Sequence, residues 1–253
     1  TAQMVVFDPQ EMLIDHGVEL DELVVDGQLL TFSTNVLRRD GTLVVPVAWR
    51  SDTTAFIPSE AAVVRVDTAQ DTVKVLRDDR CGYVRTAVEG ADGRLYLATE
   101  AYGSSVHRVV PENAAAPCLL RLDADWSAFD AAFHFALASL VDGATAGTLI
   151  PGPSPDRAWL RVLDESVTTI DRATNPRVLA SSATWAWWSI ALGDEPTAEA
   201  SGLGLSNGSD FLINTDDEPM IPEFSGDRSQ TVLLDMRTGT PGESSLTIPG
   251  LTF

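Results

Sequence analysis

Val64-Arg65-Val66-Asp67, a polar turn, and then Thr72-Val73-Lys74-Val75-Leu76 form the phrase on which the fold reading rests. Apolar and polar residues alternate on both sides of the turn, so each run presents one oily face at the two-residue period of a β-strand. The Asp that closes the first run can bond the backbone two residues on and so cap the turn. The phrase opens the chain as Val5-Val6-Phe7-Asp8 ahead of Met12-Leu13-Ile14, and returns as Leu120-Arg121-Leu122-Asp123. Thr169-Ile170-Asp171 followed by Arg177-Val178-Leu179 reads as a fourth copy. Val232-Leu233-Leu234-Asp235 followed by Ser245-Leu246-Thr247-Ile248 reads as a fifth. The aspartates fall 59, 56, 48 and 64 residues apart.

A second phrase lies between these copies. Asp40-Gly41 and Asp92-Gly93 each precede an apolar run, as Pro155-Asp156-Arg157 and Asn207-Gly208 do more weakly. Asp-Gly and Asn-Gly tolerate the positive φ of tight hairpin turns. Each repeat therefore reads as two hairpins, or four antiparallel strands. Four-stranded sheets recurring at about 50 residues are the signature of β-propeller blades. The predicted fold is all-β, a propeller or propeller fragment over 1–253, with units at about 1–20, 21–80, 81–140, 141–182 and 183–253. A β-sandwich is the alternative. Because the chain opens and closes on the second hairpin of a unit, about four and a half blades are expected, within a larger ring of as many as seven.

A net charge of −20 with pI near 4.3 argues against nucleic acid and anionic lipid as partners. No run approaches the length of a membrane span. The chain begins at Thr1, and the expectation is a processed or partial chain. Cys81 and Cys118 both sit beside turn signals, so they read either as a disulfide in an exported protein or as two buried thiols.

In such a blade the connections between the second and third strands are long, at about 49–61, 100–117 and 214–230, with a short one at 164–167. Long loops on a repeat scaffold tend to carry function. Binding candidates on that end are Trp49, Arg50, Tyr102, His107, Arg108 and Met220, joined by Trp188; Trp185 and Trp187 read as core. Catalytic constellations are poor. His16, His107 and His134 lack zinc spacing. Asp123, Asp125 and Asp130, with Asp216 and Asp217, are weak calcium candidates, because the first group lacks the Gly and Glu of a calcium loop.

The Val5-Val6-Phe7-Asp8-Pro9…Leu13-Ile14 phrase, the repeated aspartate-closed strands and the Asp-Gly turns resemble secreted bacterial β-propeller lipoproteins encoded beside siderophore genes. That resemblance implies a periplasmic, outer-membrane-associated or secreted protein with a lipid anchor upstream. It further implies a non-catalytic binder of a metal chelate or of a partner protein. Arg50, Arg80 and Arg108 would supply positive charge for an anionic chelate. Two other classes are a structural subunit of a larger assembly and a metal-dependent propeller hydrolase or lyase.

Overall fold

The computed structural model describes residues 2–33, 35–208, 213–215, 218–224, 229–235 and 244–250. The chain is all-β, built of successive antiparallel sheets. β1 (Gln3–Asp8) and β2 (Leu13–Glu19) pair as a two-stranded hairpin. In the second sheet, β3 (Gln28–Phe32) and β4 (Leu37–Arg39) both pair with β5 (Thr42–Ser51), which is followed by β6 (Ala61–Asp67) and β7 (Thr72–Asp78). The third runs β8 (Val84–Glu89), β9 (Leu95–Thr99), β10 (Cys118–Leu122), β11 (Phe129–Ala136). The fourth is β12 (Ala146–Pro151), β13 (Arg157–Leu163), β14 (Trp185–Ala191) and β15 (Thr197–Ala200). The fifth is β16 (Ile213–Thr215), β17 (Glu218–Phe224), β18 (Gln230–Asp235) and β19 (Ser244–Pro249). Among the described residues three short α-helices, α1 (Ala101–Val109), α2 (Leu137–Leu140) and α3 (Pro176–Ser181), lie in connections. Among the described residues no helix is long and apolar enough to cross a membrane.

Apart from β3 and β4, which both lie against β5, neighbouring strands of each sheet are consecutive in the chain. Successive sheets bury their oily faces against each other. Met4 packs with Val47 and Val64; Val63 and Leu76 meet Val84, Leu97 and Leu120. Tyr96 and Leu119 meet Leu149, Leu160 and Ile190, and Trp159 and Trp187 meet Leu234. The first strand of the third sheet, β8, lies beside both β5 and β12.

The repeating aspartates behave as the sequence predicts at three copies. Asp8 accepts from the N–H of Gln10 at 2.8 Å, Asp67 from Ala69 and Gln70 at 3.0 Å, and Asp123 from the Ser127 N–H at 2.7 Å. Each stands at the turn between the last two strands of its sheet. Asp40 and Gly41 take φ of 48° and 79°, the positive values the tight turn between β4 and β5 demands.

Four expectations need correction. Asp171 closes no strand; it accepts from Ala173 N–H in a loop, and Arg177-Val178-Leu179 belong to α3. The third strand of the fourth sheet is β14, and the connection before it is long, at 164–184. Asn207-Gly208 is not placed between two paired strands: Ser206 before it forms an isolated bridge with Trp185, and β16 pairs with β17 further on. Residues 218–224, expected in a loop, form β17.

Candidate functional site

Helix α1 is inserted between β9 and β10. Thr99 ends β9, Glu100 caps the helix with extended backbone, and its N–H donates to the Tyr83 carbonyl at 2.9 Å. Gly103 lets the helix lie against Tyr83, since a Cβ there would come within 2.8 Å of the Tyr83 Cβ. Gly82 is equally constrained, with no room for a Cβ beside the Pro58 carbonyl. Cys81 is bonded to Cys118, which ties the segment entering β8 to the start of β10. Both cysteines are buried.

Tyr83, held from both sides, adopts φ +52°. A bulky residue in the left-handed region is strained by about 1–3 kcal/mol, and such strain persists where surrounding structure over-determines it. Two residues later the ladder slips: Val84 pairs with Thr99 but Thr86 with Ala98, leaving Arg85 at a bulge. A bulge re-aims its side chain, and the Arg85 guanidinium donates to the Phe32 carbonyl at 3.1 Å and stands 3.7 Å from buried Glu100. β12 carries a matching slip at Thr148, which has φ +63°. The first strand of the second sheet is broken between β3 and β4. Irregular first strands thus recur across the sheets.

These features converge on a cavity of about 310 Å³ at the end where second strands leave and first strands enter. Thr31, Arg50, Tyr83, Arg85, Glu100, Tyr102 and Arg177 line it. Tyr83 and Tyr102 meet edge to face at 5.3 Å, and the Arg177 guanidinium lies 5.8 Å from the Tyr102 ring. Burial and then the charge of Glu100 push the Tyr83 phenol above its ordinary value, so it stays protonated at neutral pH. A cleft of about 480 Å³ adjoins, sharing Arg50, Tyr102 and Arg177 and adding Asp52, Thr53 and Asn175. Among the described residues, Arg50 and Arg177 have no carboxylate partner within ion-pair distance. Three guanidinium groups therefore face one buried carboxylate in a chain whose net charge is −20.

The sequence-predicted residues are dispersed. Arg50 and Tyr102 line the cavity. Trp49 is on β5, fully buried, and donates its indole N–H to the Leu23 carbonyl at 2.7 Å; it is core and not an exposed anchor. Trp188 is half-buried and packs between the third and fourth sheets, while Trp185 and Trp187 are buried. His107 bonds the Ala114 carbonyl at 2.9 Å, and Arg108 forms a two-pronged pair with Glu165 at 2.6 and 2.7 Å; both border a separate cleft of about 290 Å³. Met220 is half-buried on β17. Arg80 is spent on Asp78 and on the carbonyls of Asp130, Ala131 and Phe133.

Asp123 is occupied by Ser127, and Asp130 by Arg121 at 2.6 Å, while Asp125 is exposed. Asp216 and Asp217 lie outside the described residues. The sequence reading missed Tyr83, Arg85, Glu100 and Arg177. The glycine of Cys81-Gly82-Tyr83 was the available signal.

No family model and no curated protein matches this chain. Among solved structures, a luciferin-regenerating enzyme is similar at a TM-score of 0.35 and 9% identity, over 96% of this chain and 66% of that one. The chain thus spans just under two thirds of that protein's length. A likeness at this level bears on neither fold nor activity.

Proposed function

We propose that the sheets are blades of a β-propeller, about four and a half of them in this chain, and that further blades complete a larger ring. In this reading the protein is a non-enzymatic, extracytoplasmic binder, and the cavity at the mouth of the ring takes a small anionic ligand. The observation that carries the reading is the meeting of Arg50, Arg85 and Arg177 with Tyr83 and Tyr102 around one cavity. Guanidinium groups offer forked donors that match carboxylate, phosphate or catecholate oxygens, and they stack on aromatic faces. The two tyrosines add flat surfaces and a phenol held in its donor form. An anionic metal chelate of the kind suggested by the resemblance combines both features.

Calorimetric titration with ferric tris-catecholate, ferric citrate, the metal-free chelators and inorganic phosphate tests this. Saturable binding of at least one anion is expected, weakening as salt rises. Arg177→Ala and Arg50→Ala, which leave the buried Arg85–Glu100 pair intact, should each weaken it about tenfold or more, since a charged hydrogen bond contributes about 1.5–3 kcal/mol. Lack of binding to all of these probes, or variants indistinguishable from wild type, overturns the proposal.

A second reading, a subunit within a larger assembly, is favoured by the uncovered apolar face of the β1–β2 hairpin. Val5, Phe7 and Ile14 are 48%, 47% and 67% exposed there. In a propeller this face would be covered by the neighbouring blade.

A further inference from the structure

The disulfide has a third neighbour. His134, on β11, brings a ring nitrogen to the two sulfurs of Cys81 and Cys118, and the three ligand atoms lie within 4.8 Å of one another. It is the one such group of three His, Cys, Asp or Glu side chains among the described residues. The two cysteines are fully buried, while His134 is exposed and caps them from the solvent side. The strands explain the approach: β10 and β11 pair antiparallel, with Leu120 opposite His134 and Cys118 opposite Ala136. Cys81 arrives from the loop ahead of β8.

We propose that, once its disulfide is reduced, the chain holds a divalent zinc-type ion through the thiolates of Cys81 and Cys118 and the imidazole of His134, with water as the fourth ligand. The ligand chemistry fits. Two thiolates and one imidazole are a set that tetrahedral Zn²⁺ accepts, with Zn–S about 2.3 Å and Zn–N about 2.0–2.1 Å. Tetrahedral geometry at those lengths separates the two sulfurs by about 3.8 Å, against about 2.05 Å in a disulfide. The ligand atoms of the three side chains are already gathered at one point.

The chemistry balances with a named reductant. A phosphine and one water convert the disulfide to two thiols, and the phosphine leaves as its oxide. The metal then displaces the two thiol protons to solvent. A small-molecule disulfide added as oxidant takes the two electrons and, with two protons from solvent, leaves as two thiols; the protein disulfide re-forms and the ion is expelled, since a disulfide offers no thiolate. Metal and disulfide are alternative occupants of one position, each joining the loop before β8 to the start of β10.

Co²⁺ is the probe, because thiolate ligation gives it a charge-transfer band in the near ultraviolet and tetrahedral geometry gives intense visible bands. The oxidised protein should show neither. The phosphine-reduced protein should show both at one equivalent, and Zn²⁺ should displace the Co²⁺. His134→Ala leaves the disulfide intact and should weaken Co²⁺ binding by the reduced protein at least tenfold. Zn²⁺ should also raise the thermal midpoint of the reduced wild-type protein, and neither that of the oxidised protein nor that of reduced His134→Ala. Three results would overturn the proposal: no thiolate-to-cobalt band after reduction, His134→Ala binding as wild type does, or a reduced chain that is unfolded with and without Zn²⁺.

Discussion

Tyr83 shows how much of the candidate site depends on single residues that are not themselves polar. Its φ of +52° is held by the helix at Gly103 on one side and by the disulfide two residues upstream. The methyl group introduced by Gly103→Ala would stand 2.8 Å from the Tyr83 Cβ and 3.0 Å from the Thr99 Cγ2. Neither neighbour is the far end of a flexible chain, so the helix or the tyrosine must move. The expected cost is about 1–3 kcal/mol, as for other overpacked positions, read as a lower urea midpoint at unchanged slope. Displacement of Tyr83 should also reduce anion affinity in the cavity. A variant as stable as wild type would mean that α1 is looser than its packing implies.

At the scale of elements, the end of the sheets opposite the cavity is joined by charge. Arg121 of β10 is nearly buried, pairs with Asp130 of β11 at 2.6 Å and reaches Asp194, in the turn between β14 and β15, at 2.7 Å. Tyr96 of β9 donates to Asp92 at 2.8 Å. The Arg121 guanidinium holds the Asp130 carboxyl below its ordinary value. For Asp92, burial acts to raise the value, but the Tyr96 hydroxyl and the Arg94 N–H outweigh it and the net shift is downward. Both carboxyls therefore favour the folded state when ionised. That contribution is complete above the unfolded value of about 4 and is lost as pH falls through the depressed folded values.

Urea unfolding followed from pH 6 to pH 2 should show a decline in stability below about pH 4, and Asp130→Asn should make the slope shallower. Burial, with the hydrogen bond to Asp92, pushes Tyr96 up to about 12. Its contribution is present below about pH 10 and fades as pH rises through 12, so Tyr96→Phe should flatten the alkaline limb. At neutral pH, Arg121→Ala should cost about 2–3 kcal/mol, below the usual figure for a broken buried pair, because Asp194 is 79% exposed and regains water. An unchanged pH profile in Asp130→Asn would rule out this joint.

The same scale shows where sequence patterns were sufficient and where they were not. Val64–Leu76 folds as read because its alternation is matched by a partner strand along its whole length. Thr169-Ile170-Asp171 carries the same local pattern, and Asp171 even makes the same bond to a backbone N–H two residues on. No strand lies opposite it, so the segment stays a loop and leads into α3, which Asn175 caps by accepting from Arg177 and Val178. The true third strand, Trp185–Ala191, lacks the closing Asp. Its turn places Asp194 three residues beyond the strand, where that carboxylate serves Arg121 instead. A local signal selects a turn; strand pairing decides whether that turn joins two strands.

For the molecule as a whole, the exposed face of the first hairpin has a consequence for assembly. Val5, Phe7 and Ile14 form an apolar stripe on the two-stranded sheet, whose outer edges pair with no other strand among the described residues and invite association. The net charge of −20 opposes self-association at low salt. In about 0.5 M salt, where repulsion is screened to a few ångströms, sedimentation velocity should show the 253-residue chain associating. The Phe7→Glu, Ile14→Lys double variant should stay monomeric. A wild-type chain that remains monomeric under these conditions would mean the stripe needs no covering sheet.

The amino-acid order alone determined the all-β class, the antiparallel pairing of neighbouring segments and the aspartate-capped turns at Asp8, Asp67 and Asp123. These are local properties, set by side-chain alternation and by bonds spanning two to four residues. Only the tertiary structure decided that Trp49 is core, that Arg80 and Arg108 are already paired, and that Arg50, Arg85 and Arg177 face one cavity. It also decided that Cys81, Cys118 and His134 meet. A side chain's aim depends on bulges, on which sheet covers it and on which opposite charge reaches it first. Those are set by contacts between segments far apart in the chain, and no local pattern carries them.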